Sequence, residues 1–233
     1  MSTCFLRTGF AALLMGACAG ATSGVPDSFP HIDKARASHL LVVAQVSLGG
    51  KFPQWPECAT GEVICIDPPP FWITLAVETT VSGQPAPTTL NAATTSHNGM
   101  DQFGSAGPYL IALVTDGVDY VMPRYQKEAL VRNKAGNLYL PLLSEEKPYV
   151  LPCGVMVLRE EIDASDFHPD LQIDKSDFKY HRVKTAPQLF IKHGNKAVPR
   201  YAIAIDRLQA FLERTPLEDV PTVCAAQAGP GSP

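Results

Sequence analysis

The stretch that decides the fold is residues 71–82, with the sequence FWITLAVETTVS. Its positions alternate, so that Ile73 and Leu75 fall on one face while Thr74 and Glu78 fall on the other. Alternation with a period of two is typical of a β-strand that buries one face. The segment therefore predicts a long strand in a β-rich core.

Similar signals occur along the chain. Residues 39–47 are β-branched and aliphatic, and the continuously apolar residues 109–115 are typical of a strand buried on both faces. Asp-Gly at 116–117 and the segment 133–137 predict hairpin turns. Three further strands are predicted at residues 88–94, 149–158 and 188–193. With 21 prolines and 17 glycines, this pattern favours β architecture over long helices.

A single amphipathic helix is predicted from Pro199 to about Arg214, because proline is tolerated at a first helical position and Pro216 would end the helix. Its apolar face comprises Tyr201, Ile205, Leu208 and Leu212. Together the elements predict a mainly β, single globular domain over residues 32–216, a small antiparallel barrel with a C-terminal strand and helix. Residues 225–233 are predicted to form a disordered tail.

Three cues in this order carry a family resemblance. An apolar strand at residues 40–46 precedes a longer strand with a Val-x-Gly turn at 81–83, and a later strand starts with Gly-x-Tyr-Leu at 107–110. Over about half of the chain, this order resembles the OB-like barrel of netrin-type domains, the fold of tissue inhibitors of metalloproteinases. Those inhibitors place an N-terminal cysteine on the zinc ion of their target. No Cys-x-Cys opening occurs here, so the resemblance implies the fold but not protease inhibition.

The first 21 residues have the pattern of a bacterial secretory leader, with one charge at Arg7, an apolar run at 10–15 and small residues after it. The apolar run is too short to span a bilayer. The sequence therefore predicts an exported protein, periplasmic or secreted. A Met-Gly-Ala sequence before Cys18 resembles a lipobox, and acylation there would anchor the protein to a membrane face. The alternative is cleavage after Ala19 or Ala21.

Four cysteines lie downstream of the leader, and an even number in an oxidising compartment indicates two disulfides. We expect Cys58 to pair with Cys65 across a local loop, and Cys153 to pair with Cys224 at the C-terminal tail. The second pair would restrain the unfolded chain by roughly 4 kcal/mol in the entropic model. A zinc site is the alternative, but no Cys-x-x-Cys pair and no neighbouring histidine at ligand spacing support it.

The net charge of the chain disfavours some classes of partner. The formal net charge is −4, and Lys and Arg are spread along the chain without a basic stripe. The composition therefore gives no electrostatic reason to bind nucleic acid or anionic lipid. The predicted membrane contact is the lipid anchor alone, and nothing in the sequence indicates a cofactor.

An aromatic group stands beside the first cysteine pair. Trp55, Phe71 and Trp72 lie among several prolines, and rigid aromatic side chains bury a large area at small entropic cost. These residues predict a binding face. The alternative is that Phe71 or Trp72 packs inside the barrel.

His97 is a further candidate, because its loop also contains Ser96 and Asp101 and so combines the residue types of a hydrolase. A turn rich in Ser, Asn and Gly needs no catalytic role, since these side chains bond their own backbone there. We therefore list His97 as a binding residue and predict no catalytic residue.

The segment 160–177 is acidic and poorly periodic, which predicts a loop or a weak helix. Its titratable side chains include Asp163, Asp166, His168, Asp170, Asp174 and Asp177. Calcium prefers such oxygen ligands, but the spacing lacks the EF-hand pattern and its glycine. A solvated surface loop explains the segment, so no metal site is predicted.

The leading functional hypothesis is an exported, non-enzymatic binding or protein-interaction module of the cell envelope, whose partner is an unknown protein or small molecule. Two alternatives stay open. One is a secreted hydrolase that uses the His97 loop, and the other is a structural lipoprotein.

Overall fold

The computed structural model describes residues 29–51, 70–96, 100, 103, 107–167, 171–176, 179–215 and 217. These residues are mainly in β-strands. The strands are β1 (Ser38–Lys51), β2 (Pro70–Ser82), β3 (Thr89–Thr95), β4 (Tyr109–Thr115), β5 (Tyr120–Val121), β6 (Lys127–Ala129), β7 (Val131–Arg132), β8 (Leu138–Pro141), β9 (Glu160–Glu161), β10 (Ile173–Asp174), β11 (Phe190–His193), β12 (Lys196–Pro199) and β13 (Tyr201–Ala204). The α-helices among them are α1 (Tyr180–Thr185) and α2 (Ile205–Leu212).

The first five strands form a closed barrel in the order β1–β2–β3–β5–β4, with β4 also paired to β1. All pairings are antiparallel except β3 with β5, which are parallel and joined at Ala93 and Val121. The order is compatible with an OB-like barrel. The prediction of a mainly β fold with a small barrel and a C-terminal helix is confirmed.

The barrel interior is filled by side chains from all five strands, because alternate residues of each strand point inward. Its buried members from the strands are Leu40, Val42, Ala44, Phe71, Ile73, Leu75, Leu90, Ala92, Ile111 and Leu113, and Met122 follows β5. The alternation in residues 71–82 therefore predicted the core face of β2 correctly near its start.

A second core lies on the outside of the barrel wall. Leu41 and Val43 of β1 and Leu110 of β4 are buried there with Leu208 and Leu212 of α2. Neighbouring residues of β4 thus belong to different cores, since Ile111 lies in the barrel interior. This double burial confirms the interpretation of residues 109–115 as a strand buried on both faces.

The C-terminal part adds two small sheets to the barrel, in the orders β10–β12–β11 and β7–β8–β13–β9. Strands β12 and β13 are consecutive, so one chain segment passes from the first sheet to the second. Helix α1 covers one face of the first sheet, where its Tyr180 and Val183 are buried with Phe190 and Ala197.

The predicted helix start was wrong. Residues 196–199 and 201–204 are strands, and α2 begins at Ile205 instead of Pro199. Ala202 and Ile203 pair with β8, about sixty residues earlier in the chain. The helical spacing of the apolar residues carries no information about pairing with a distant strand. Here that pairing overrides the local helix propensity.

Two strand predictions also need correction. Residues 149–158 form turns and a 3-10 helix, Val155–Leu158, because Pro152 cannot donate to a ladder and Gly154 adopts a left-handed conformation with φ 87°. Strand β11 confirms a strand at residues 188–193 only from Phe190 onward. It is not the last strand, since β12 and β13 follow.

Candidate functional site

The barrel has two ends with different contents. At one end β1 and β3 finish while β2 and β4 begin, so Lys51 opposes Phe71 and Ala44 opposes Tyr109. We call this the Tyr109 end. At the other, the Asp116 end, β1 begins and residues 116–119 connect β4 to β5. The described residues that flank segments 52–69 and 97–99 lie at the Tyr109 end, so the chain enters both segments there.

The predicted aromatic binding face is divided by the structure. Phe71 is 5% and Trp72 is 2% exposed, and Phe71 belongs to the barrel interior. The place of Phe71 in the interior agrees with the alternative in which one of these rings packs inside the barrel, and neither ring offers an exposed surface. Trp55 and His97 lie outside the described residues, where the structure does not test them.

The predicted cysteine pairs lie largely outside the described residues. Cys153 follows β8 in a turn. Cys18, Cys58, Cys65 and Cys224 lie outside the described residues, so both pairings remain predictions.

An aromatic and cationic group closes the Tyr109 end. The Phe103 and Tyr109 rings meet edge to face at 5.5 Å, and the Lys127 Nζ lies 4.8 Å from the Phe103 ring centroid. Lys127 opposes Ile111 on β4, so its side chain leaves the strand on the interior side. Burial lowers the pKa of Lys127 and raises the pKa of Tyr109. The ammonium is thus held against an aromatic face, an interaction worth up to about 2 kcal/mol when desolvated.

Two hydroxyls point toward the same end of the interior. Thr94 and Ser96 continue the inward series of Leu90 and Ala92, and they are 1% and 7% exposed. The Thr94 Oγ1 has no hydrogen-bond partner among the described residues. A buried hydroxyl without a partner costs about 1–3 kcal/mol, so Thr94 is a local weakness of the core.

The turn after β5 holds a tyrosine in an unusual conformation. The Gln126 N–H donates to the Pro123 carbonyl at 3.2 Å, and Tyr125 within this turn has φ 65°. Tyr125 is the one non-glycine residue with positive φ in the described part of the chain. A bulky side chain there costs roughly 1–2 kcal/mol. The ring is 59% exposed, and the exposed Arg124 guanidinium lies 6.0 Å from its centroid.

Glu128 connects this turn to the C-terminal part. Burial raises the pKa of Glu128, although the Tyr149 backbone N–H donates to its carboxylate and Arg182 and Lys127 lie nearby. Tyr149 is 53% exposed. The Tyr109 end therefore adjoins a second exposed tyrosine and the N-terminal half of α1.

The acidic segment uses its described carboxylates locally. Asp163 accepts from the Ser165 N–H at 2.8 Å, and Asp174 accepts from the Ser176 N–H and hydroxyl at 3.0 and 2.9 Å. These bonds lower the pKa values of both aspartates. An open depression of about 580 Å³ lies beside this segment, lined by Glu161, Ile162, Asp163, Ala164, Ser165 and Ile191. His168, Asp170 and Asp177 lie outside the described residues.

Within the described ranges, no three His, Cys, Asp or Glu side chains are grouped so that they could hold a metal ion. No described helix has the length and apolar character needed to cross a membrane. These findings apply only to the part of the chain that the structure describes.

Comparison with known proteins identifies no relative. No family model matches the chain, and no curated protein or solved structure is significantly similar to it. The function must therefore be argued from the site itself.

Sequence reasoning missed the residues that distinguish the Tyr109 end. The position of Thr94 follows from its alternation with Leu90 and Ala92, so the sequence did contain a signal for it. Tyr125 had no such signal, because positive φ is normally marked by Gly or Asn and the turn contains neither. Phe103 and Lys127 meet only through the barrel closure.

Proposed function

We propose that this protein is an exported, non-enzymatic binding module of the cell envelope, and that its binding surface is the turn of residues 123–126, centred on Tyr125, together with the adjoining Tyr109 end of the barrel. The turn lies between Val121, which opposes Val114, and Lys127, which opposes Ile111. The observation that carries the proposal is an exposed tyrosine held at positive φ with an arginine beside its ring. Strained residues concentrate at ligand-contacting sites, because selection keeps a costly conformation only where it is used.

The surface has the composition of a protein-binding hot spot. Tyrosine and arginine are enriched among the residues that dominate binding energy, and Arg124, Tyr125 and Tyr149 are all exposed. Trp55 and His97 remain proposed binding residues, and the described residues that flank their segments lie at the Tyr109 end. We therefore favour a protein partner over a small molecule.

Two further lines support the proposal. Netrin-type domains resemble the chain in the order of its sequence cues, and the closed barrel is compatible with the OB-like fold that this resemblance implies. In an oxidising compartment, we expect Cys153 to pair with Cys224 and Cys58 to pair with Cys65. Peptide mapping without reduction would identify both pairs.

The test compares what co-purifies with tagged variants of the exported protein from native envelopes. We expect Tyr125→Ala to reduce specific co-purification at least about thirtyfold, the effect of losing a hot spot of about 2 kcal/mol. Tyr125→Phe should retain most of it. Val118→Ser, at an exposed apolar residue of the Asp116 end, is the control and should bind as wild type.

The proposal is wrong if all four proteins recover the same partners in the same amounts. Loss in Val118→Ser but not in Tyr125→Ala would move the binding surface to the Asp116 end.

A further inference from the structure

The small total charge of the chain conceals a strong local imbalance. Residues 175–200 contain seven Lys and Arg and one acidic residue, a net charge of +6, so the rest of the chain carries −10. The preceding residues 160–174 contain six acidic residues and neither Lys nor Arg. Along the chain these cations look scattered, but the segment that carries them folds into α1 and the sheet beneath it.

The fold gathers several of these cations on one side of that sheet. Val183 of α1 packs on the face of β11 and β12 that carries Phe190 and Ala197. Lys192 is two residues beyond Phe190 and opposes Ala197, so its side chain leaves β11 on that same face. Arg182 and Lys184 are exposed on α1. We call Arg182, Lys184 and Lys192 the basic face.

Among the described carboxylates, none pairs with either lysine of the basic face. The Arg182 charge acts on Glu128, but Lys184 and Lys192 have no ion pair or hydrogen bond among the described residues. Glu145, which accepts from Gln188 beyond α1 at 3.0 Å, lies 3.5 Å from Arg159. The two lysines are therefore available to an external anion.

The shape of the site favours an extended anionic surface over a small ligand. The described depression includes Ile191, which points to the opposite side of β11 from Lys192. Lys184 and Lys192 thus offer point charges on flexible stems, outside the described depression. Anionic headgroups in a bilayer attract such lysines without shape recognition, and the attraction acts over about a Debye length.

We infer that the basic face docks on an anionic lipid bilayer. The inference shares only the exported state with the proposed function and uses none of the residues around Tyr125. A bilayer contact on α1 would hold the protein close to a membrane face, as a second signal beside any lipid anchor.

The experiment measures binding of the exported protein to two kinds of vesicle, phosphatidylcholine alone and equal parts phosphatidylcholine and phosphatidylglycerol. Any acyl anchor binds both kinds, so the readout is the ratio of the two partition coefficients. We expect preference for the anionic vesicles at low salt, lost at high salt. K184E/K192E should reduce the ratio about tenfold or more.

K34E/R214E is the matched control, because it changes net charge equally at two exposed positions outside the basic face. It should keep the preference, and unchanged unfolding midpoints would show that both double variants are folded. No preference in the wild type, or an equal loss in both double variants, would overturn the inference. Binding through Lys184 and Lys192 to immobilised polyglutamate but not to vesicles would also overturn it, in favour of an acidic protein.

Discussion

The two ends of the barrel are built from the same strands but differ in hydrogen bonding and in backbone strain. At the Asp116 end, one carboxylate accepts from the backbone N–H groups of Val118 and Asp119 at 3.0 Å and of Asp33 at 3.3 Å, with Arg36 at 3.7 Å. At the Tyr109 end, the Thr94 hydroxyl has no partner among the described residues, and Tyr125 in the adjoining turn is strained. The carboxylate at the Asp116 end is therefore well hydrogen-bonded, whereas a hydroxyl without a described partner and a strained backbone occur where we place the binding surface.

The largest effect should come from Gly83, where the Asp116 end is most tightly packed. A Cβ added at Gly83, φ +95°, would lie 2.6 Å from the His39 carbonyl oxygen, whereas Gly117 at φ +91° has nothing within 4 Å. We expect Gly83→Ala to lower the free energy of unfolding by about 3 kcal/mol and Gly117→Ala by about 1 kcal/mol. Urea unfolding of both variants measures the difference. Equal losses would mean that the close approach at Gly83 contributes nothing.

The hydrogen bonds of the Asp116 carboxylate predict how the stability of the protein depends on pH. Hydrogen bonds from the backbone of Asp119, Val118 and Asp33 lower the pKa of Asp116 from 3.8 to about 2, with a smaller effect of Arg36. A carboxylate whose pKa is lower in the folded than in the unfolded protein stabilises the fold at pH values above its unfolded pKa. This stabilisation is lost as the pH falls through the folded pKa. Wild type should therefore exceed Asp116→Asn in stability at pH 5, and the gap should close between pH 4 and pH 2.

Asp119→Asn in the same turn is the control, because its side chain has no hydrogen bond or ion pair among the described residues. Denaturant titrations at a series of pH values give the comparison. A gap for Asp116→Asn that stays constant from pH 5 to pH 2 would contradict the assigned role of the carboxylate.

At two buried threonines, the same substitution should change the free energy of unfolding in opposite directions. Thr115 at the Asp116 end accepts from the Gly117 N–H at 3.0 Å, whereas the Thr94 hydroxyl has no partner within the described ranges. We expect Thr115→Val to destabilise the protein by about 1 kcal/mol and Thr94→Val to stabilise it by about 1 kcal/mol. Thermal and urea unfolding test both, and destabilisation by Thr94→Val would show that its hydroxyl has a partner.

The smallest effect isolates the strain at Tyr125. Glycine in an ordinary position is less stable than alanine, but at positive φ the order reverses. Tyr125→Gly should therefore be more stable than Tyr125→Ala by about 1 kcal/mol. The same pair at Tyr149, which lacks positive φ, should show alanine as the more stable variant. The ring is absent from both members of each pair, so the comparison reports the backbone alone.

Sequence patterns predicted the barrel well because its strands are regular. Strand β4 has the predicted bounds, and β2 begins one residue earlier than predicted. These features depend on local periodicity, which a single sequence records directly.

The C-terminal part could not be predicted in the same way. Residues 201–204 have the spacing of a helix face yet pair with β8 and β9, so a distant partner decides their conformation. At the candidate site, Trp72 is of the aromatic type that predicts a binding residue, but its side chain is buried. The basic face is invisible to total charge, because its cations are brought together by α1 packing on β11.

The most direct test of the account compares the two ends in the envelope itself. A photo-crosslinking amino acid is placed at position 125, in the turn beside the Tyr109 end, or at position 118, at the Asp116 end, in the exported protein. We predict discrete protein adducts from position 125 and none from position 118. Adducts from position 118 alone, or the same adducts from both positions, would contradict the assignment of binding to the Tyr109 end.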